Sequence, residues 1–415
     1  MRTFKSVGSV VHRLKPNNPL YIFRPRAVEK AVSCFLNGFK GDMMYAVKTN
    51  PDAYLLTQIY NLGVRSFDVA SLEEIRHVTS LLPNANCYFM HTVKSRFAIR
   101  EAYQNYGIRH FALDSSYELQ KIMEETDHAK DLCLMVRLSI PNTYAELNLA
   151  EKFGANSREA VNLLKMCRTY AKTLGITFHV GSQCMHPDAY RIAMKMASQV
   201  LAKAKVNIEI LDIGGGFPSI YPGMNPPPLE TYFEVIQKEF SEMFKTNPQL
   251  ICEPGRALAA ESGAVIVKVE LRKGDHLYIN DGTYGNLFDA GIPHFIFPVK
   301  LWRIDGEHSD NILPFSFYGP TCDTLDYMKG PFYLPEDVKE GDYIEIGQLG
   351  SYGRTLATKF NGFGSEEEIV SVRDNPLMTM YGVDGGTEES MPEPAAKPEP
   401  ARIEQTAKII SINQG

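Results

Sequence analysis

Between residues 43 and 253, eight short apolar runs alternate with longer amphipathic stretches, a rhythm that few folds accept. The runs are MMYAVK (43–48), VRSFDVA (64–70), CYFM (87–90), HFAL (110–113), LCLMVRL (132–138), ITFHV (176–180), IEILDI (208–213) and LICE (250–253). Segments with helical spacing separate them, among them SLEEIRHVTSLL (71–82), KSRFAIREAYQNY (94–106) and LETYFEVIQKEFSEMF (229–244). A strand that is apolar along its whole length must be covered on both faces. Eight strand-plus-helix units do this and lose their sheet edges on closure, which predicts a (β/α)8 barrel of the TIM type; a doubly wound open sheet is the alternative.

After Gly255 the rhythm changes. GAVIVKVELRKGDHLYIN, FIFPVKLWRI, ILPFSFYGP and GDYIEIG read as strands parted by Gly, Pro and Asp turns, so a second, mainly β domain is expected. The early stretch TFKSVGSVVHRL also reads as strand and is expected to pair into that β domain. The resulting division is an N-terminal segment 1–23, a barrel 24–262, a β domain 263–373 and a tail 374–415. The tail is expected to be flexible, because GGTEESMPEPAAKPEPARIEQ (385–405) is rich in Pro and Glu and poor in aromatics.

Charge and composition narrow the partners. Lys and Arg total 43 against 49 Asp and Glu, a net charge of −6, with no long basic run of the kind a nucleic-acid binder presents. No apolar stretch approaches the roughly 18 residues of a membrane helix, and MRTFKSVGSVVHRLK lacks a hydrophobic signal core, so no membrane partner and a cytoplasmic location are expected. Seven widely spaced cysteines without a C-x-x-C pair signal neither a disulfide framework nor a metal site.

In a barrel of this type the site forms where the strands end, so the polar residues closing the apolar runs carry the functional expectation. They are Lys48, Asp68, His91, Asp114, Arg137, His179, the turn Gly214-Gly215-Gly216 and Glu253. A lysine in a low-dielectric mouth has its charged form disfavoured, leaving an amine able to form a Schiff base; the plainer alternative pairs Lys48 with Asp68. Glu253 could hold a proton on a heteroaromatic nitrogen. The glycine turn offers exposed amides to a phosphate, although tight turns use glycine too.

YAVKTNP (45–51), FDVAS-x-x-E (67–74), HVGSQ (179–183), DIGGGFP (212–218), CEPGRAL (252–258), GPTCDTLD (319–326) and FNGF (360–363) occur in the order found in one family. Over roughly residues 20 to 364 the chain resembles the group IV, fold-type III pyridoxal-phosphate (PLP) decarboxylases, the ornithine/lysine decarboxylase family with an alanine-racemase-like fold. The resemblance implies a PLP-binding barrel, a β domain and a head-to-tail homodimer that shares its active sites. By position, Lys48 is similar to the lysine that bonds to PLP, His179 to the imidazole stacked on its ring, and Glu253 to the carboxylate paired with its pyridine nitrogen. Ser182, Gly214, Gly215, Gly216, Gly255, Arg256 and Tyr352 match the phosphate-binding set, and Asp68, Glu74 and Arg137 match polar residues around the cofactor. Cys322 is similar to the residue that controls reprotonation, and Asp323 to the one that binds the substrate's distal amine, both from the partner subunit. Tyr284 and Asp289 are expected as further substrate contacts, with a turn residue before Ala-Gly as the alternative for Asp289.

Diaminopimelate decarboxylases typically carry Cys-Glu where this chain has Cys322-Asp323, so the resemblance implies L-ornithine, converted to putrescine and CO2 for polyamine synthesis. Lysine, or both lysine and ornithine, is the alternative, because one methylene is worth only about 1 to 3 kcal/mol of discrimination. Diaminopimelate decarboxylation follows, and then a non-catalytic binding protein like the antizyme inhibitors. GSYGRT (350–355) departs from the family's more usual GAYT and sets Arg354 near Tyr352. It reads as an exposed loop arginine or as a phosphate contact.

Overall fold

The computed structural model describes residues 1–141, 143–147, 152–364 and 368–383. Its centre is a closed barrel of eight parallel strands: β1 (Asp42–Ala46), β2 (Ser66–Val69), β3 (Asn86–Phe89), β4 (His110–Leu113), β5 (Cys133–Leu138), β6 (Thr173–Phe178), β7 (Ile210–Asp212) and β8 (Gln249–Cys252). Each of the eight apolar runs supplies one of them. Closure through the β8–β1 pairing excludes the open sheet.

Successive strand residues point to opposite faces, and here both faces are buried. Met44, Tyr88, Met90, Ala112, Cys133, Met135, Ile210 and Ile251 form one cluster inside the barrel. Phe67, Val69, Phe89, Phe111, Leu134 and Val136 belong to the larger core beneath the surrounding helices. Serines start several of those helices: Ser71, Ser95 and Ser115 each accept the backbone N–H three residues on, a cap worth about 1 kcal/mol.

The second sheet has nine strands and draws on both sides of the barrel sequence. Leu20–Phe23 lies parallel to β15 (Glu368–Val372) and antiparallel to β9 (Gly263–Lys273). Arg2–Phe4 pairs in parallel with the other edge of β15. The sheet also contains β10 (His276–Ile279), β11 (Val299–Trp302), β12 (Ile312–Tyr318), β13 (Tyr327–Pro335) and β14 (Tyr343–Ile346).

Two expectations are corrected. TFKSVGSVVHRL is a strand only at its start; Val7–Leu14 is a helix. Ser6 Oγ accepts from Ser9 N–H at 3.3 Å and Ser9 Oγ from Ser6 N–H at 3.1 Å, a reciprocal cap that starts the helix, and Val7, Val10 and Val11 fall on one buried face. The tail expected from Asp374 is bonded into the fold as far as Gly382: Asp374 Oδ2 accepts Val7 N–H at 2.7 Å, and Gly382 O accepts Lys30 Nζ at 2.8 Å. The rest of that tail, 384–415, lies outside the described residues. Among the described residues no helix is long and apolar enough to cross a membrane.

Candidate active site

The period of two that aims Met44, Met135, Ile210 and Ile251 into the barrel carries on to the strand ends, where polar residues replace apolar ones. Two residues beyond each inward methionine or isoleucine stand Ala46, Arg137, Asp212 and Glu253, and Lys48 follows Ala46 by the same step. Lys48, Asp68, Arg137, His179, Ser182, Glu253, Arg256, Asp289 and Tyr352 line one cavity of about 380 Å³, with His91 and Phe153 at its wall. Asp114 does not line it; its carboxylate accepts the Gly154 N–H at 2.9 Å. Glu74 also stands back, accepting the Ala70 N–H at 2.6 Å beside Asp68.

Lys48 donates to Asp68 Oδ2 at 2.7 Å, and 44% of its side chain faces the open cavity although barrel surrounds it. Burial disfavours its ammonium, yet the Asp68 and Glu253 carboxylates outweigh burial and raise its pKa above the ordinary lysine range. Of the two readings of Lys48, the structure shows the plainer one: Lys48 is a charged partner of Asp68.

Glu253 is buried and its pKa lies well above the usual carboxylate range, first through burial and then through the nearby Asp212 and Asp68 charges. Asp212 is fully buried and pushed up to about 6 by the same desolvation, against hydrogen bonds from Glu253, Gly214 N–H and Thr177. The last two measure 2.9 Å each. Glu253 and Asp212 thus hold a proton between them, while Glu253 Oε1 has no hydrogen-bond partner among the described residues. Sequence reasoning missed Asp212 by reading it into the glycine turn; a carboxylate one inward step beyond Ile210 was the signal.

Burial and the charges of Arg137 and Lys48 hold His179 well below the ordinary histidine pKa, so its ring is neutral. Its Nδ1 accepts the Gly181 N–H at 3.0 Å, leaving the proton on Nε2. Gly215 passes so close that a Cβ there would sit 3.1 Å from His179 Nε2, and Gly214 has φ +67°, open to glycine without strain. Arg256, buried, donates to Tyr221 Oη at 2.9 Å, Asp289 Oδ2 at 3.2 Å and Ser182 Oγ at 3.4 Å. Asp289 is thus engaged by Arg256 in the Lys48 cavity.

Tyr352 takes φ +56°, and its N–H donates to Thr49 O at 3.0 Å, tying a loop of the second sheet to the turn that carries Lys48. Arg354 is neither free nor a cavity residue: its guanidinium pairs with Asp52 at 2.6 Å, beside the same turn.

Cys322, Asp323 and Tyr284 are elsewhere. Asp323 and Tyr284 line a second groove of about 610 Å³ that shares no lining residue with the Lys48 cavity. Asp323 Oδ1 accepts Leu325 N–H at 3.0 Å and Oδ2 accepts Tyr284 Oη at 2.6 Å, which keeps its carboxyl below the usual range. Cys322 is exposed, and its N–H donates to Asn361 Oδ1 at 3.1 Å, so FNGF holds GPTCDTLD in place.

The cavity fits a phosphorylated pyridine aldehyde: an amine for the aldehyde, an unsatisfied protonated carboxyl for the ring nitrogen, a neutral imidazole, and an arginine with a glycine turn for the phosphate. Comparison with known proteins agrees. Residues 25–260 match the family model described as pyridoxal-dependent decarboxylase, pyridoxal binding domain. A lysine/ornithine decarboxylase of Selenomonas ruminantium is 31% identical over 334 residues, 78% of this chain and 82% of its own. The ornithine decarboxylase of Caenorhabditis elegans is 31% identical over 363 residues, 80% and 83% of the two chains. The arginine decarboxylase of Paramecium bursaria Chlorella virus, solved with agmatine, is 28% identical with a TM-score of 0.78, covering 88% of this chain and 99% of that one.

Proposed function

Because this chain belongs to the pyridoxal-dependent decarboxylases, with PLP as cofactor and basic amino acids as substrate class, we propose that it converts L-ornithine to putrescine and CO2, with L-lysine as second substrate. The observation that carries the choice is Asp323: an ionised carboxylate held at both oxygens in a groove whose described lining contains no Lys, Arg or His. Such a groove suits a single terminal ammonium. Within that groove the second carboxylate of diaminopimelate would meet like charge.

Bound PLP supplies an electron sink for the pair left when the bond from Cα to the carboxylate breaks. Lys48 provides the amine that would hold the cofactor aldehyde. Glu253, backed by Asp212, would keep a proton at the pyridine nitrogen, while His179 presents an uncharged ring. Arg256, Ser182, Tyr352 and the amides after Gly214 would hold the phosphate. Asp323, positioned by Tyr284, anchors the distal amine, and Cys322 governs return of a proton to Cα.

Lys48 and Asp323 line separate cavities of one chain, which supports a homodimer in which the Asp323 groove of each copy completes the Lys48 cavity of the other. Steady-state rates on ornithine, lysine, arginine and diaminopimelate test the substrate. The highest kcat/KM belongs to ornithine on this reading, and a preference for diaminopimelate would overturn it.

A further inference from the structure

We propose that residues 374–383, beyond the last strand of the second sheet, form a strap that positions the phosphate-binding arm of the cavity through Tyr381. The proposal rests on the assignment of Arg256 to the cofactor phosphate. Arg256 opens a helix of only four residues, Arg256–Ala259, in which the C-cap Ala260 N–H returns to Arg256 O. The carbonyls that follow need partners from beyond the helix, since Ala257, Leu258 and Ala259 are at most 1% exposed.

For Ala257 that partner is the strap. Tyr381 Oη donates to Ala257 O at 2.6 Å, one residue beyond Arg256. A second contact lies on the next turn, where buried Glu261 accepts the Met380 N–H through Oε1 at 2.7 Å. Met380 and Tyr381 both pack against the barrel core.

The strap is anchored at each end. Asp374 Oδ2 accepts the Val7 N–H at 2.7 Å and its Oδ1 lies 3.3 Å from Arg24 Nε, while Lys30 Nζ reaches Gly382 O at 2.8 Å. Between these anchors the chain can supply a hydroxyl to the arm without ordering a free segment, so little entropy opposes the contact. Removing the hydroxyl leaves a buried carbonyl unsatisfied next to the residue that spans Ser182, Tyr221 and Asp289. Tyr381 is a positioning residue: it acts on the cofactor through the backbone of Arg256–Ala259.

The test uses the full chain with Tyr381→Phe, which keeps the packed ring, and Tyr381→Ala, which removes it. Two quantities are read: the PLP dissociation constant of the apoprotein by absorbance titration, and backbone hydrogen exchange of 256–262 in the absence of PLP. Tyr381→Phe is expected to weaken PLP binding about three- to tenfold, the scale of one lost buried hydrogen bond, and to speed exchange at 256–262 above the other barrel elements. A dissociation constant within twofold of the unaltered chain overturns the strap and leaves the cofactor reading standing. So does weaker binding with exchange raised equally throughout the barrel. If the unaltered chain binds no PLP, the cofactor reading falls and takes the strap with it.

Discussion

Lys48 Nζ and Asp68 Oδ2 stand 2.7 Å apart at the ends of adjacent barrel strands, so the reactive amine and its counter-ion are delivered by one β-pairing. The ion pair stores the amine in its charged form until a ligand separates the two. Lys48→Ala should therefore abolish the absorption band at about 420 nm expected of lysine-bound PLP and reduce turnover by roughly a thousandfold or more. Asp68→Asn removes the attraction and leaves burial, so the Lys48 pKa should fall. The pH midpoint of labelling by an amine-directed aldehyde should move downward, and a midpoint that stays put refutes the pairing.

Glu253→Gln keeps the shape of the buried side chain but removes the acid. Decarboxylation should drop by at least about a hundredfold while PLP still binds, because a ring nitrogen without its proton is a weak electron sink. Paired measurements of kcat and PLP affinity decide; equal losses in both would make Glu253 a folding residue.

Mixing Lys48→Ala protein with Asp323→Ala protein should restore activity to about one quarter of the unaltered level. Random exchange leaves half the dimers mixed, each with one intact site of two. With exchange confirmed by native mass measurement, activity that stays at the level of the separate variants would place Asp323 in its own chain's chemistry or outside it.

Burial pushes Glu261 from an ordinary 4.5 up to about 7. Between those values the unfolded chain has released this proton and the folded chain keeps it, so the folded state loses stability as pH rises through the window. Below 4.5 both states are protonated and above about 7 both are ionised. Glu261→Gln should remove this slope, gaining on the unaltered chain by about 2 to 3 kcal/mol between pH 5 and 7. Denaturant unfolding at three pH values checks it, and parallel curves would deny the titration.

The barrel was readable because the same residues satisfy two demands: Phe67 and Val69 face helices, Asp68 faces the cavity, and all three are nearly fully buried. A run like FDV therefore announces a strand and a site together. Val7–Leu14 was misread because its valines suggest β structure, while the Ser6 and Ser9 caps that decide for helix are a weaker signal. Strand Glu368–Val372 went unread because its parallel partner is Leu20–Phe23, far beyond any local pattern. Asp212 was hidden by the glycines after it. Cys322 and Asp323 carried no local signal at all, since an exposed loop owes its shape to Tyr284 and Asn361 rather than to periodicity; only the family resemblance pointed to them.

Leu20–Phe23 lies in the sheet between β9 and β15, strands that follow the whole barrel in the chain. During synthesis this early segment therefore waits, unpaired, while all eight barrel strands leave the ribosome. Tyr352 arrives only after them, so the nascent barrel has its lysine, its carboxylates and its glycine turn before the wall that closes the phosphate end exists. A chain that ends between β9 and Val372 has one edge of Leu20–Phe23 paired and the other bare, and that bare edge is open to capture by chaperones or by another chain.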